Sequence, residues 1–126
     1  MALNDRLQLI RELENLRGSR VIAYVTSDRL PPFQAQMAMD VVRRFYNHLS
    51  SFQACEKIDV FLFSTGGDTM VPWRLASLIR EYCRHFGVLI PYKAHSAATM
   101  LALGANEIIM VPLSELSPID SSVQTP

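Results

Sequence analysis

The sequence predicts an α/β domain built on a mostly parallel sheet. Four short apolar runs carry this reading: V-I-A-Y-V-T at 21–26, I-D-V-F-L-F at 58–63, V-L-I-P-Y at 88–92 and E-I-I-M-V at 107–111. They are rich in β-branched and aromatic side chains, and none alternates cleanly between apolar and polar, as a sheet with one wet face would. Between them lie segments whose apolar residues recur every three to four positions. The order α, then β-α-β-α-β-α-β, implies parallel strands joined by crossover helices, with both faces of the sheet covered.

Residues 3–17 place Leu3, Leu7, Ile10, Leu13 and Leu16 on one helical face, and Gly18 follows as a C-terminal stop. This amphipathic helix (residues 1–18) is expected to pack on the domain formed by 19–126, or else on another subunit. The strand at 21–26 leads into a loop at 27–32, and Pro31-Pro32 opens the next helix, whose stripe is Met37, Val41, Val42, Phe45 and Leu49. After the strand at 58–63, Pro72 fits a first helical turn. Val71, Leu75, Leu78, Ile79, Tyr82 and Phe86 then form a stripe that Gly87 closes. Trp73 is expected in the core, with a place lining a groove beside Met70 as the alternative. The third strand, 88–92, precedes a short helix from Ser96 to Gly104 that is apolar almost all round and therefore buried. The fourth strand follows at 107–111, and 112–126 reads as loop.

With 126 residues the chain is one domain or part of one, and 49% apolar residues suffice for a core. Twelve basic and twelve acidic residues cancel, which argues against a nucleic-acid binder. Cys55 and Cys83 form no C-x-x-C, so a reduced, cytoplasmic setting is expected. His48, His85 and His95 show no ligand spacing, so neither a metal nor another cofactor is expected. No apolar run reaches the ~18 residues of a membrane span, so membrane association is expected only through regions outside this chain.

Chemistry concentrates in F-L-F-S-T-G-G-D at 61–68 and K-A-H-S-A-A-T-M-L-A-L-G-A-N-E-I-I-M at 93–110. Each reads as a strand, a small-residue turn and a helix, so both turns fall at the carboxyl edge of the sheet, where reactive groups collect. Gly66 and Gly67 have no β-carbon, and their N–H groups can turn toward a substrate. Ser96 offers a hydroxyl at a helix N-terminus, and the N–H of Ala97 is a second donor. These are the parts of a serine nucleophile and an oxyanion hole. The plainer reading makes Ser96 an ordinary helix cap, the glycines a tight turn and Asp68 the cap of the next helix. Asp68 and Met70, with Gly66 and Gly67, are candidate substrate contacts. His95, next to Ser96, is read as structural, and Lys93 as a poor base.

The ordered set S-T-G-G-D, H-S-A-A-T-M-L-A-L-G-A-N-E-I-I-M and S-E-L-S-P-I-D resembles the serine dehydrogenase proteinase family, a relative of the signal-peptide-peptidase-like and Clp-type serine peptidases. The resemblance runs over roughly residues 20–122. It implies the Clp/crotonase fold, a spiral of β-β-α units assembling into rings or stacked homo-oligomers, and polypeptide substrates bound as an added strand beside the glycine loop. It also implies that Ser96 is the nucleophile, with Gly67 and Ala97 supplying the oxyanion donors, and it places Asp120 in a Pro-x-Asp turn. Family members commonly have glycine where Ala98 stands. Clp-type relatives place a His and an Asp after the serine, and signal-peptide-peptidase-like relatives a Lys, whereas no His, Lys or Arg follows Ser96 here. A serine hydroxyl needs such a base. The chain is therefore expected to be the N-terminal, nucleophile-bearing part of a longer serine peptidase, inactive without downstream residues. The alternatives are a non-catalytic oligomerising or peptide-binding module of the same fold and, last, a crotonase-like acyl-thioester enzyme.

Overall fold

The computed structural model describes residues 2–26, 36–52 and 55–119. Its elements are α1 (Leu3–Arg17), β1 (Arg20–Val25), α2 (Asp40–Ser51), β2 (Lys57–Phe63), α3 (Val71–Arg80), β3 (His85–Ile90), β4 (Lys93–Ala94), α4 (Ala97–Leu103), β5 (Glu107–Met110) and β6 (Glu115–Leu116). The main sheet is parallel throughout, in the order β1-β2-β3-β5, and β4 pairs with β6 in a second, two-stranded sheet. The α/β class with a mostly parallel sheet is thus the observed one.

The strand order never reverses, and parallel crossovers are right-handed, so α2, α3 and α4 all land on one face. There Ile22, Tyr24, Ile58, Val60, Leu62, Phe86, Val88 and Ile90 pack against Phe45, Leu49, Leu75, Ile79, Ala98 and Leu101. The expectation of two covered faces is corrected by this topology. Among the described residues the opposite face receives α1 alone, and none of the residues of α1 is itself buried. Leu16 is exposed, and a cleft of about 520 Å³ separates Leu9, Leu13 and Leu16 from Ala23, Val25 and Phe61.

What fixes α1 to the sheet is polar. Across the strands Val21, Asp59, Gly87 and Glu107 stand in register. Asp59 is fully buried and accepts from Arg17 Nε at 3.1 Å and Ser19 Oγ at 2.7 Å. Arg17 also pairs with Glu107, which accepts from His85 Nε2 at 3.0 Å and lies 3.5 Å from Lys57 Nζ. Hydrogen bonds from Arg17 first, and from His85 second, hold the Glu107 carboxyl at about 2, below its ordinary value of 4.5. A carboxylate depressed on folding stabilises the native state above its unfolded value and ceases to do so as pH falls through the folded one. Unfolding titrations should therefore show stability declining between about pH 5 and pH 2, and Glu107→Gln should flatten that decline.

Four local expectations are corrected. Met37 is not helical: it forms a parallel bridge with Gly67, and α2 begins only at Asp40. Gly87 does not end a helix. α3 stops at Arg80, and Gly87 lies within β3, where a β-carbon would stand 2.2 Å from Asp59 Oδ1. Trp73 is exposed on α3 rather than part of the core. The segment after β5 is not all loop, since β6 forms within it. The loop at 27–32, with Pro31-Pro32, and Asp120 lie outside the described residues.

Candidate active site

The glycine turn is built by backbone pairing. Met37 N–H donates to Gly66 O at 2.9 Å and Asp68 N–H to Met37 O at 2.8 Å, flanking the Met37–Gly67 bridge. In a parallel bridge these bonds leave the N–H of the bridged residue directed to the other side, so the Gly67 N–H points away from Met37. Among the described residues it has no acceptor. The turn needs glycine: φ is 111° at Gly66 and 150° at Gly67, in the region that side chains rarely enter. Below it, buried Ser64 accepts from Gly66 N–H at 3.1 Å and from Thr26 Oγ1 at 2.8 Å.

Ser96 sits between β4 and α4 with φ 55° and ψ −117°, and it is the sole non-glycine residue at positive φ among those described. Its side chain makes no capping bond, so the plain helix-cap reading does not describe it. Backbone strain of this kind persists only where the surroundings impose it, and it concentrates at functional sites. Ser96 is half-buried, and its hydroxyl has no hydrogen-bond partner among the described residues.

The two turns meet. A β-carbon built on Gly66 would stand 2.9 Å from Ser96 Cβ, 3.1 Å from His95 O and 3.4 Å from Ala97 N. The link is reinforced where Ser64 N–H donates to Lys93 O at 2.9 Å and His95 N–H to Ser64 O at 3.0 Å. Ala97 N–H, first in α4, has no acceptor among the described residues, and Ala97 and Ala98 are fully buried. Asp68 and Met70 occupy the entry to α3, where Asp68 Oδ1 accepts from Met70 N–H at 2.9 Å. Asp68 therefore caps from two residues before the N-cap position, which Met70 holds. The Met70 side chain is exposed.

Among the described residues no polar group is hydrogen-bonded to the Ser96 hydroxyl. His95 Nε2 is 2.7 Å from Glu115 Oε1, and the Lys93 ammonium lies 4.9 Å from the Tyr92 ring centroid. Burial raises the thiols of Cys55 and Cys83, so neither is primed as a thiolate. Among the described residues no cluster of three or more His, Cys, Asp or Glu is placed to hold a metal ion. No helix among them is long and apolar enough to cross a membrane.

The whole chain, residues 1–126, matches the ClpP-like SDH-type serine proteinases. The chain belongs to that family. It is also similar to two uncharacterized proteins of Methanocaldococcus jannaschii. MJ1495 is 27% identical over 123 residues, 94% of this chain and 42% of its own length. MJ0137 is 25% identical over 121 residues, 91% of this chain and again 42% of its own. The chain thus spans about two fifths of the length of the curated relatives it matches.

Sequence reasoning overlooked the residues that support the two turns. Ser64, Thr26 and Met37 hold the glycine loop, and Ser117 holds Ser96: its Oγ accepts from Ser96 N–H at 2.6 Å. The strings S-T-G-G-D and L-S-P-I-D contain Ser64 and Ser117, but short polar residues beside glycine or proline read equally well as turn formers.

Proposed function

We propose that this chain carries the nucleophile and the oxyanion donors of a serine peptidase. The observation that carries the reading is the approach of the Gly66-Gly67 turn to a strained Ser96 whose hydroxyl is uncommitted. Ser96 Oγ attacks the carbonyl carbon of a peptide bond. As that carbonyl oxygen gains charge, the N–H groups of Gly67 and Ala97 receive it. Ser96 N–H is already given to Ser117, so it is not one of the donors. Each donor is worth about 3 kcal/mol in such a site. The attacking hydroxyl loses its proton to a general base, which lies outside the described residues. The amine leaves with a proton, and water then releases the acyl group from Ser96.

The substrate in this reading is an extended polypeptide, with Gly66, Gly67, Asp68 and Met70 along its path. The working assembly is a homo-oligomer, as is usual among ClpP-like proteases. One observation favours a second reading, a non-catalytic peptide-binding or oligomerising module: the Ser96 hydroxyl meets no base among the described residues.

A biotinylated fluorophosphonate separates the two. Incubated with the full-length protein and mapped by peptide mass spectrometry, it should label Ser96 and lose that label in Ser96→Ala. Peptide turnover with Ser96 unlabelled would contradict the peptidase reading as assigned. Peptide binding without labelling or turnover would establish the module.

A further inference from the structure

The turn at Ser96 is held from behind by the segment that follows β5. Its residues track the 90–96 stretch closely. Glu115 N–H donates to Tyr92 O at 2.7 Å, β6 pairs with β4 as Glu115↔Lys93 and Leu116↔Ala94, and Glu115 Oε1 meets His95 Nε2 at 2.7 Å. Ser114 Oγ donates to Ile90 O. The segment then delivers Ser117 to the nucleophile turn itself. Ser117 Oγ accepts from Ser96 N–H at 2.6 Å and donates to Pro118 O at 3.1 Å, while Ser117 N–H donates to Thr99 Oγ1 at 3.2 Å. Thr99 is buried, and its hydroxyl donates to Ala94 O at 2.6 Å. A closed circuit thus runs from Ala94 through Thr99 and Ser117 to Ser96, tying together the residues before and after the strained position.

We propose that Ser117 is a positioning residue for the nucleophile: by accepting the Ser96 N–H it holds Ser96 in its positive-φ turn and so sets where its hydroxyl and the next amide, that of Ala97, stand relative to the Gly67 amide. This rests on the peptidase reading for its consequence in catalysis, but not for the contact itself. A half-buried N–H at a strained residue requires an acceptor. No backbone carbonyl supplies one here, and the Ser117 hydroxyl does. With that acceptor gone, the turn can relax and carry the Ser96 hydroxyl away from the Gly67 and Ala97 amides. Displacement of a reacting group by about 1 Å is enough for a hundredfold loss of rate.

The test uses the full-length protein and reads both geometry and rate. Amide hydrogen exchange resolved to single residues should be at least about tenfold faster at Ser96 in Ser117→Ala than in the unaltered protein, since the variant removes the acceptor of that N–H. Exchange at Ser96 that is already as fast in the unaltered protein as in Ser117→Ala would overturn the proposal. Ser117→Ala should speed exchange at Ser96 and lower kcat about 10- to 100-fold with KM little changed and Tm modestly lower, and Ser117→Thr, which keeps the hydroxyl, should restore kcat and exchange. Unchanged kcat and exchange in Ser117→Ala, or equal losses in the alanine and threonine variants, would sink it. If Ser96→Ala retains turnover, the nucleophile is misassigned. The Ser117 contact then still stands or falls on the exchange pattern.

Discussion

Ser96→Ala should lower peptide hydrolysis by the full-length protein at least about 10⁴-fold while its unfolding transition stays where it was. Both halves of this expectation come from the site. Ser96 Oγ is the group that would bond to the substrate, and the neighbouring described hydroxyls are committed: that of Ser117 to Ser96 N–H and Pro118 O, that of Thr99 to Ala94 O and Ser117 N–H. Burial raises both thiols, and Ser64 is committed to Thr26 and Gly66. Alanine keeps the β-carbon, so the positive φ is no more strained than before. The removed hydroxyl also makes no hydrogen bond among the described residues, so no native contact there is lost. Steady-state kinetics on a peptide pool, with urea unfolding alongside, would check both halves.

Gly67→Ala should damage both fold and activity, costing about 3 kcal/mol or more of stability. The new β-carbon would stand 2.2 Å from Met37 O, 2.7 Å from Met37 N and 2.9 Å from Met37 C. These are backbone atoms locked by the bridge and by two hydrogen bonds, and Met37 itself is buried in the core, so they cannot step aside. Relief would come only from breaking the bridge, which swings the Gly67 amide away from Ser96. Gly18→Ala is the control. Gly18 also has positive φ, at 62°, but a β-carbon there meets nothing within 4 Å. It should lose only about 1–2 kcal/mol, the intrinsic cost of that conformation, with kcat unaffected. Urea unfolding of the three proteins would rank them, and equal losses in the two variants would contradict the role given to Met37.

Much of the fold was legible because it rests on local patterns. The four apolar runs became the four strands of the main sheet, and Gly18 ends α1 with its N–H bonded to Glu14 O. Misreadings occurred where a distant partner sets the local structure. Met37 completes a helical stripe in sequence, yet its backbone is taken by Gly67, thirty positions away, so the helix starts later. Gly87 sits where a helix-stopping glycine belongs, yet it is there because the Asp59 carboxylate on the neighbouring strand fills the space over it. The face of the sheet on which helices pack follows from strand order, which periodicity cannot supply. At the site, Ser96, Gly66 and Gly67 stood out because both turns follow strand ends and so fall on one edge of the sheet, and because they sit in an ordered set of strings that no single turn or cap would supply. Ser117 did not, because its partner lies twenty-one residues back and only the folded chain brings the two together.

The central claim is that Ser96 and the two amides converge on a single acyl group. It is tested most directly by the crystal structure of the full-length protein after reaction with diisopropyl fluorophosphate. The phosphorus should be bonded to Ser96 Oγ, with the phosphoryl oxygen about 2.7–3.1 Å from both Gly67 N and Ala97 N. Phosphorus on another residue, or a phosphoryl oxygen turned away from both amides, would contradict it.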